Sequence, residues 1–221
     1  MPEVSAEFIW RMEAVLDLYA EPVDLRRPRV CFDEMTKQLV AELRAPLPMT
    51  PGQVERYDYE YRRNGVANLF LFYSPDHRAG GWRHVEVTER RTKVDFAWQM
   101  KALVDEHFPE AEVIRVVLDN LNTHTPAALY EAFAPDEAHR LAAKLEFIHT
   151  PKHASWLNQA EIELGVLAHQ CLDRRLPDPE TLRREVGAWE RPRNDAGTTI
   201  QWLFRLSDAR TKLRHLYPSI P

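Results

Sequence analysis

The chain has 221 residues, of which 44% are hydrophobic and 29% charged, an ordinary composition for a folded protein with one sizeable core. It has no run of about 18 apolar residues that could cross a membrane. Glu3 and Glu7 lie where a signal peptide would be basic, so secretion is not expected. The net charge of −5 excludes an electrostatic grip on nucleic acid by the whole surface, and it leaves room for local basic patches.

The first half of the chain is predicted to form a helix and then a series of strands. Apolar residues recur at helical spacing between residues 5 and 20, which predicts an amphipathic helix. Residues 29–43 are typical of a strand. Asn64-Gly65 is a typical pair for a two-residue hairpin turn, so we predict a turn there and a return strand at 66–73. A third strand and a helix are predicted to follow, between residues 81 and 108.

The second half alternates strands with helices. A short apolar strand is predicted at 113–120, and a helix follows it. A second apolar strand is predicted at 145–150, and the segment "HTPKHASWLNQAEIEL" at 149–164 leads into another helix. Beyond about residue 174 the chain is helical and rich in charge. This order predicts an α/β protein with a mixed sheet and helices on its faces.

Two aspartates lie in or after the apolar strands. Asp119 ends its strand, at the carboxyl edge of a sheet where ligands gather in α/β folds. Asp33 lies in the strand at 29–43, where a carboxylate is costly unless it is paired or bound to a cation. Strand alternation places Asp33 and its neighbour Glu34 on opposite faces. A turn aspartate and an edge-strand acid remain alternative interpretations of Asp119 and Asp33.

The two glutamates of the segment at 149–164 differ in helical phase. The helix carries one apolar stripe, formed by Leu164, Leu167, Ala168, Cys171 and Leu172. At about 100° per residue, Glu161 borders this stripe and Glu163 lies further around toward solvent. Helical phase therefore favours Glu161 as the functional carboxylate and predicts that Glu163 is solvated.

Three carboxylates from two strands and a helix are typical ligands for a hard divalent cation. Mg²⁺ prefers oxygen ligands and keeps positions open for the oxygens of a substrate phosphate. Two such ions can serve phosphoryl transfer without a covalent protein nucleophile. Other chemistries lack their motifs, since the chain has no G-x-S-x-G, no P-loop and no G-x-G-x-x-G. Cys31 and Cys171 lie far apart and are predicted to be buried, reduced thiols.

The stretches "VCFDE", "VVLDNLNTHT" and "HTPKHASWLNQAEIEL" resemble the catalytic core of bacterial insertion-sequence transposases of the mariner superfamily, the DDE transposases with a ribonuclease-H-like fold. The resemblance covers roughly residues 5–218. It implies that Asp33, Asp119 and Glu161 are the catalytic residues and the metal ligands. It also implies an α/β, ribonuclease-H-like, mixed five-stranded sheet flanked by helices, with the Asp33 strand at its centre beside the Asp119 strand.

The resemblance implies a function in transposition. The expected reaction is Mg²⁺-dependent cleavage and strand transfer of DNA, with two Mg²⁺ or Mn²⁺ ions. The expected partner is DNA, both element ends and target, and the expected location is the bacterial cytoplasm, associated with the nucleoid. A homodimer and a separate helix-turn-helix subunit are left open as further partners. The alternative function is an inactive transposase remnant that serves as a DNA- or protein-interaction module.

The resemblance also implies a division of the chain. Residues 1–28 are predicted to be a leading helix and linker, 29–175 the catalytic core, and 176–221 a helical extension. The paired helix-turn-helix modules that precede the core in the family are expected to be missing from this chain. The interval between Asp119 and Glu161 is longer than in mariner relatives, and the sequence assigns the excess to a helix or loop at 135–144.

Five polar residues near these motifs are predicted to bind substrate: Asn122, His124, Lys152, His153 and Asn158. Helix capping is the alternative for Asn122 and His124, and a solvated loop charge is the alternative for Lys152 and His153.

Overall fold

The structure is a computed structural model that describes residues 5–44, 48–54, 56, 58–77 and 80–217. Within these residues the α-helices and strands are, in chain order, α1 (Ala6–Ala20), β1 (Arg29–Glu42), β2 (Tyr61–His77), β3 (Gly80–Thr88), α2 (Lys93–Ala102), β4 (Ile114–Leu118), α3 (Ala127–Ala132), α4 (Pro135–Ala143), β5 (Leu145–His149), α5 (Gln159–Leu167), α6 (Pro179–Asp195) and α7 (Leu206–Lys212). Two π-helical turns extend α2 over Leu103–His107 and α5 over Ala168–Leu172. No helix in these ranges is long and apolar enough to span a membrane.

The strands form one mixed sheet in the order β3-β2-β1-β4-β5. β1 pairs antiparallel with β2, and β2 pairs antiparallel with β3. On its other side β1 pairs parallel with β4, and β4 pairs parallel with β5. The prediction of a mixed five-stranded sheet with β1 at its centre, beside β4, is therefore confirmed.

The two faces of the sheet bury separate apolar cores. One core joins α1, α5 and α6 to strand residues that include Cys31 and Val117. The other joins α2, α3 and α4 to strand residues that include Phe32 and Val116. Because side chains alternate along a strand, Asp33 shares the α5 face with Cys31. Glu34 falls on the α2 face.

The prediction of a hairpin turn at Asn64-Gly65 is wrong. Both residues lie inside the continuous strand β2, opposite a register shift between Gln38 and Val40 of β1. Gly65 has a φ of +87°. A residue pair that tolerates positive φ suits a β-bulge as well as a hairpin turn, and here it forms the bulge. β1 ends at Glu42 and β2 begins at Tyr61, so the two strands are not joined by a turn at Asn64-Gly65.

The C-terminal helices are built onto the sheet. Leu182 and Val186 of α6 lie in the same core as α1 and α5. The segment after α6 crosses the start of β3 so closely that a Cβ at Gly81 would lie 2.1 Å from the Thr198 carbonyl oxygen. Only glycine fits at that position, and this close crossing holds the C-terminal segment against β3.

Candidate active site

Asp33 and Asp119 meet at one end of the sheet because of the strand register. The last pair between β1 and β4 joins Cys31 to Val117, in parallel register. Asp33 and Asp119 each lie two residues further along, so both reach the edge at which β4 ends. Asp33 is only 9% exposed, and its Oδ1 accepts a hydrogen bond of 2.8 Å from the amide of Glu34.

Glu161 reaches the same edge from α5. The helix begins at the capping residue Asn158, whose Oδ1 accepts from the Ala160 amide at 3.1 Å. The Nδ2 of Asn158 donates to the Phe32 carbonyl at 2.9 Å and lies 3.4 Å from Oδ2 of Asp33. One buried side chain thus caps the helix and ties its first turn to the strand that carries Asp33. Glu161 lies in this first turn, and its side chain is exposed.

The neighbouring acids act electrostatically on Asp33. Burial, the largest cause, raises the pKa of Asp33, and the negative charges of Asp119, Glu161 and Glu34 raise it further. The hydrogen bond from the Glu34 amide opposes this change, and the resulting pKa is about 7. Asp33 therefore lies in a field of neighbouring carboxylates that disfavours its own negative charge.

The carboxylates at this edge could bind a metal ion, but they do not form a closed metal cage. In the part of the chain that the structure describes, no group of three or more His, Cys, Asp and Glu side chains is already arranged to hold a metal ion. A few carboxylates without a preformed cage suit Mg²⁺, which keeps several waters and takes only one or two protein carboxylates. A cation at this edge would also neutralise the repulsion that raises the pKa of Asp33.

His124 holds Asp119 from the loop after β4. Its Nδ1 lies 2.6 Å from Oδ1 of Asp119, and its Nε2 lies 2.8 Å from Oε2 of Glu34. Burial alone would lower the pKa of His124, but the two carboxylates outweigh it and raise that pKa to about 9. Burial alone would raise the pKa of Asp119, but the hydrogen bond and charge of His124 lower it. Asp119 is therefore held in its ionised form.

Glu163 is buried, so the prediction that it is solvated is wrong. It is 1% exposed, and both of its carboxylate oxygens lie 3.2 Å from Nη2 of Arg193. The Nε of Arg83 lies 3.2 Å from Oε2 on the other side. Arg83 comes from β3 and Arg193 from α6, so these partners are distant in the sequence. Helical phase could not reveal them, because it separates apolar from polar positions and takes a charge as solvated.

The five residues predicted to bind substrate lie in two kinds of environment. Asn122, Lys152 and His153 are exposed in the loops after β4 and β5, and His153 has a left-handed backbone with φ of 64°. His124 and Asn158 are fully buried, and the contacts described above engage both side chains within the protein. A direct substrate contact for any of the five stays a prediction.

Glu34 is the residue near the site that sequence reasoning missed. Alternation places it on the face away from Asp33, which separated it from the predicted carboxylates. The pattern Asp-Asn-x-x-x-His at 119–124 was visible, but the pattern could not show that His124 folds back onto β1.

The arrangement of the strands, with acids at one sheet edge, defines a ribonuclease-H-like fold. Residues 28–183 match the family described as DDE superfamily endonuclease, and the chain belongs to that family. A comparison with curated proteins gave no match.

Solved structures of one transposase share the fold. The Mos1 mariner paired-end complex with Mn has 18% sequence identity and a TM-score of 0.58, over 88% of this chain and 58% of that one. The Mos1 strand transfer complex has 19% identity and a TM-score of 0.55, over 86% and 56%. The paired-end complex with Mg has 19% identity and a TM-score of 0.54, over 88% and 58%. The chain spans somewhat more than half the length of these solved relatives.

Proposed function

We propose that this chain is the catalytic core of a transposase that cuts DNA strands and joins them to target DNA. The observation that carries the proposal is the parallel register that brings Asp33 and Asp119 to one sheet edge, with Glu161 in the first turn of α5, the helix that Asn158 ties to β1. The charges of Asp119 and Glu161 also raise the pKa of Asp33, which supports their proximity to it. Membership of the DDE endonuclease family and the likeness to Mos1 structures named for paired-end and strand transfer complexes support the reaction class.

In this proposal Asp33, Asp119 and Glu161 hold Mg²⁺ or Mn²⁺, as two ions. Two of the Mos1 structures are paired-end complexes with Mn and with Mg. Bound ions of this kind activate an attacking water or hydroxyl and stabilise the leaving oxygen in phosphoryl transfer. The protein's own part is to keep Asp119 ionised through His124 and to fix α5 against β1 through Asn158. Asp33 must lose its proton before it can act as a ligand.

The substrate in this proposal is DNA, at the element ends and at the target. An edge lined with carboxylates repels phosphates, so positive groups around it must position the backbone. Arg11 of α1 contributes such a charge, since its Nη1 donates to Oδ1 of Asn120 at 3.1 Å, next to Asp119. Lys152 and His153 are exposed after β5 and supply further candidates, together with Asn122.

The proposal extends to the division of the chain and to its partners. We assign catalysis to residues 29–175, with 1–28 and 176–221 as additions whose described helices α1, α6 and α7 share its core. A homodimer would bring two element ends together, and a helix-turn-helix subunit would supply sequence recognition. The site of action is the cytoplasm, at the DNA of the nucleoid.

A cleavage assay tests the proposal directly. The substrate is a duplex that carries the inverted repeats flanking the gene, incubated with the chain and Mg²⁺ or Mn²⁺. We expect strand cleavage at the repeat ends and joining of the cut ends to a target plasmid. Asp33→Asn, Asp119→Asn and Glu161→Gln should abolish both products, while Glu180→Gln, an exposed acid at the start of α6, should retain them.

Three outcomes contradict the proposal. Cleavage that survives Asp119→Asn would place the chemistry elsewhere. Hydrolysis without joining would indicate a nuclease. A chain that binds the repeat duplex and cuts nothing with either metal would indicate an inactive remnant.

A further inference from the structure

Glu34 is a buried carboxylate with no part in the proposed metal site. Its side chain is 4% exposed and lies on the α2 face, among the apolar residues of that core. Its neighbours on β1, Asp33 and Met35, both point to the other face. A buried carboxylate costs free energy unless a partner compensates it. The partner here is His124, whose Nε2 lies 2.8 Å from Oε2 of Glu34.

The ring of His124 lies between two carboxylates, and its contacts leave the ring no freedom to rotate. Its ring contacts Phe32 and Phe96, with centroid distances of 5.2 and 4.9 Å, and none of its surface is exposed. Nδ1 faces Asp119 and Nε2 faces Glu34, so each nitrogen makes a charge-assisted hydrogen bond. The backbone is fixed as well, because Nε2 of His149 lies 3.1 Å from the His124 carbonyl oxygen.

We propose that Glu34 is a positioning residue for Asp119, acting through His124 from the opposite face of the sheet. Among the described residues, the hydrogen bonds to Asp119 come from Leu121 and His124, and both go to Oδ1. Oδ2 accepts neither of these hydrogen bonds, so it is the oxygen available to a metal ion. The inference rests on the proposed function, in which Asp119 is a metal ligand. Outer partners of this kind orient a ligating carboxylate and raise its affinity for metal.

The chain of contacts continues to the surface at Arg91. Its Nη1 lies 3.7 Å from Oε1 of Glu34, and its side chain is 52% exposed. A long, solvated ion pair contributes little. The hydrogen bond to His124 is therefore the contact on which the position of Glu34 depends.

The test measures the affinity of the whole chain for Mn²⁺ alone, by titration calorimetry without DNA. Glu34→Ala should weaken Mn²⁺ binding by about 10-fold or more, the range typical of lost outer partners. Glu34→Gln should lose less affinity for Mn²⁺, because its amide oxygen can still accept a hydrogen bond from Nε2 of His124. The matched control is Glu131→Ala, which removes a half-exposed acid paired with Lys93 and leaves His124 untouched. Thermal unfolding of each variant establishes that it is folded.

The outcomes separate this inference from the proposed function. If Asp119→Asn binds Mn²⁺ as tightly as the native chain, the proposed function fails and the inference fails with it. If Asp119→Asn loses affinity while Glu34→Ala matches Glu131→Ala, the inference alone is wrong. Equal losses in Glu34→Ala and Glu34→Gln also overturn it.

Should Glu34→Ala not fold, Glu34→Asp replaces it. Glu34→Asp keeps the charge and is one methylene too short to reach His124. It should then bind Mn²⁺ more weakly than Glu34→Gln, and equal or tighter binding contradicts the inference.

Discussion

Glu161 and Glu163 are two residues apart on α5, but one is exposed at the proposed metal site and the other is buried between two arginines. The buried member fixes the rotation of the helix, because Arg83 on β3 and Arg193 on α6 hold it from two directions. The exposed member keeps its carboxylate accessible to a ligand. The fold thus separates the carboxylate that anchors α5 from the one that faces the substrate.

Removing the charge of Glu163 should destabilise the protein. Glu163→Gln leaves Arg83 and Arg193 without their buried counter-charge, and breaking such a pair costs about 3 kcal/mol of unfolding free energy. Glu161→Gln, on the same helix, changes an exposed side chain and should cost less than about 0.5 kcal/mol. Urea denaturation at neutral pH measures both. Equal stability of the two variants would show that the buried ion pairs contribute nothing.

Asn158 should matter for stability as a cap and as a link. Asn158→Ala removes the cap of α5 and the donor to the Phe32 carbonyl, so we expect a loss of about 2–3 kcal/mol. Asn122→Ala, which removes an exposed amide, is the control and should change the unfolding free energy by less than about 0.5 kcal/mol. Chemical denaturation measures the difference. A loss at Asn158 no larger than at Asn122 would contradict the proposed link between β1 and α5.

Asp33 should limit stability when no metal is present. Burial first, and then the neighbouring acids, raise its pKa to about 7 from a usual value near 4, so the folded state binds more protons than the unfolded state between these pH values. Its contribution to stability is therefore present below about pH 4 and is lost as pH rises through 7.

The variant Asp33→Asn isolates this effect. In EDTA at pH 8 the free energy of unfolding of the variant should exceed that of the native chain by about 4 kcal/mol, and this advantage should vanish near pH 4. Added Mn²⁺ should stabilise the native chain more than the variant. Denaturation curves at the two pH values and with Mn²⁺ decide the matter. A native chain that is more stable than the variant at pH 8 in EDTA would contradict the raised pKa.

His107 should make the protein sensitive to acid. Burial, together with the charge of His84, lowers the pKa of His107 to about 4. The folded state then binds fewer protons than the unfolded state, so this contribution is present above about pH 6.5 and is lost as pH falls through 4. The total loss is about 3 kcal/mol. His107→Gln should flatten the dependence of unfolding free energy on pH between 7 and 4.5, and parallel curves for both proteins would rule the effect out.

The sequence predicted the parts of the site that depend on local patterns. Apolar strands that contain or end in Asp33 and Asp119 predicted carboxylates at a sheet edge, and the family resemblance implied that the two strands are adjacent. The parallel register does place both acids at one edge. The burial of Glu163 was not predictable, since it depends on Arg83 and Arg193 from distant elements. The prediction of a turn at Gly65 was wrong for a related reason. The sequence indicated a positive φ there, but the choice between a turn and a bulge depends on the partner strand.

Asp33 and Glu34 are neighbours on β1 and have different roles on opposite faces of the sheet. The number of residues in the strand therefore matters more for function than most of its side chains. A slip of one residue against β2 would exchange the environments of Asp33 and Glu34, placing one beside Phe96 and the other beside Asn158. The bulge at Gly65 lies opposite Gln38 to Val40 of β1, away from Asp33. It can accommodate an extra residue at that place only and not near Asp33. Single insertions or deletions before Asp33 should therefore inactivate the protein even where substitutions at the same positions are tolerated.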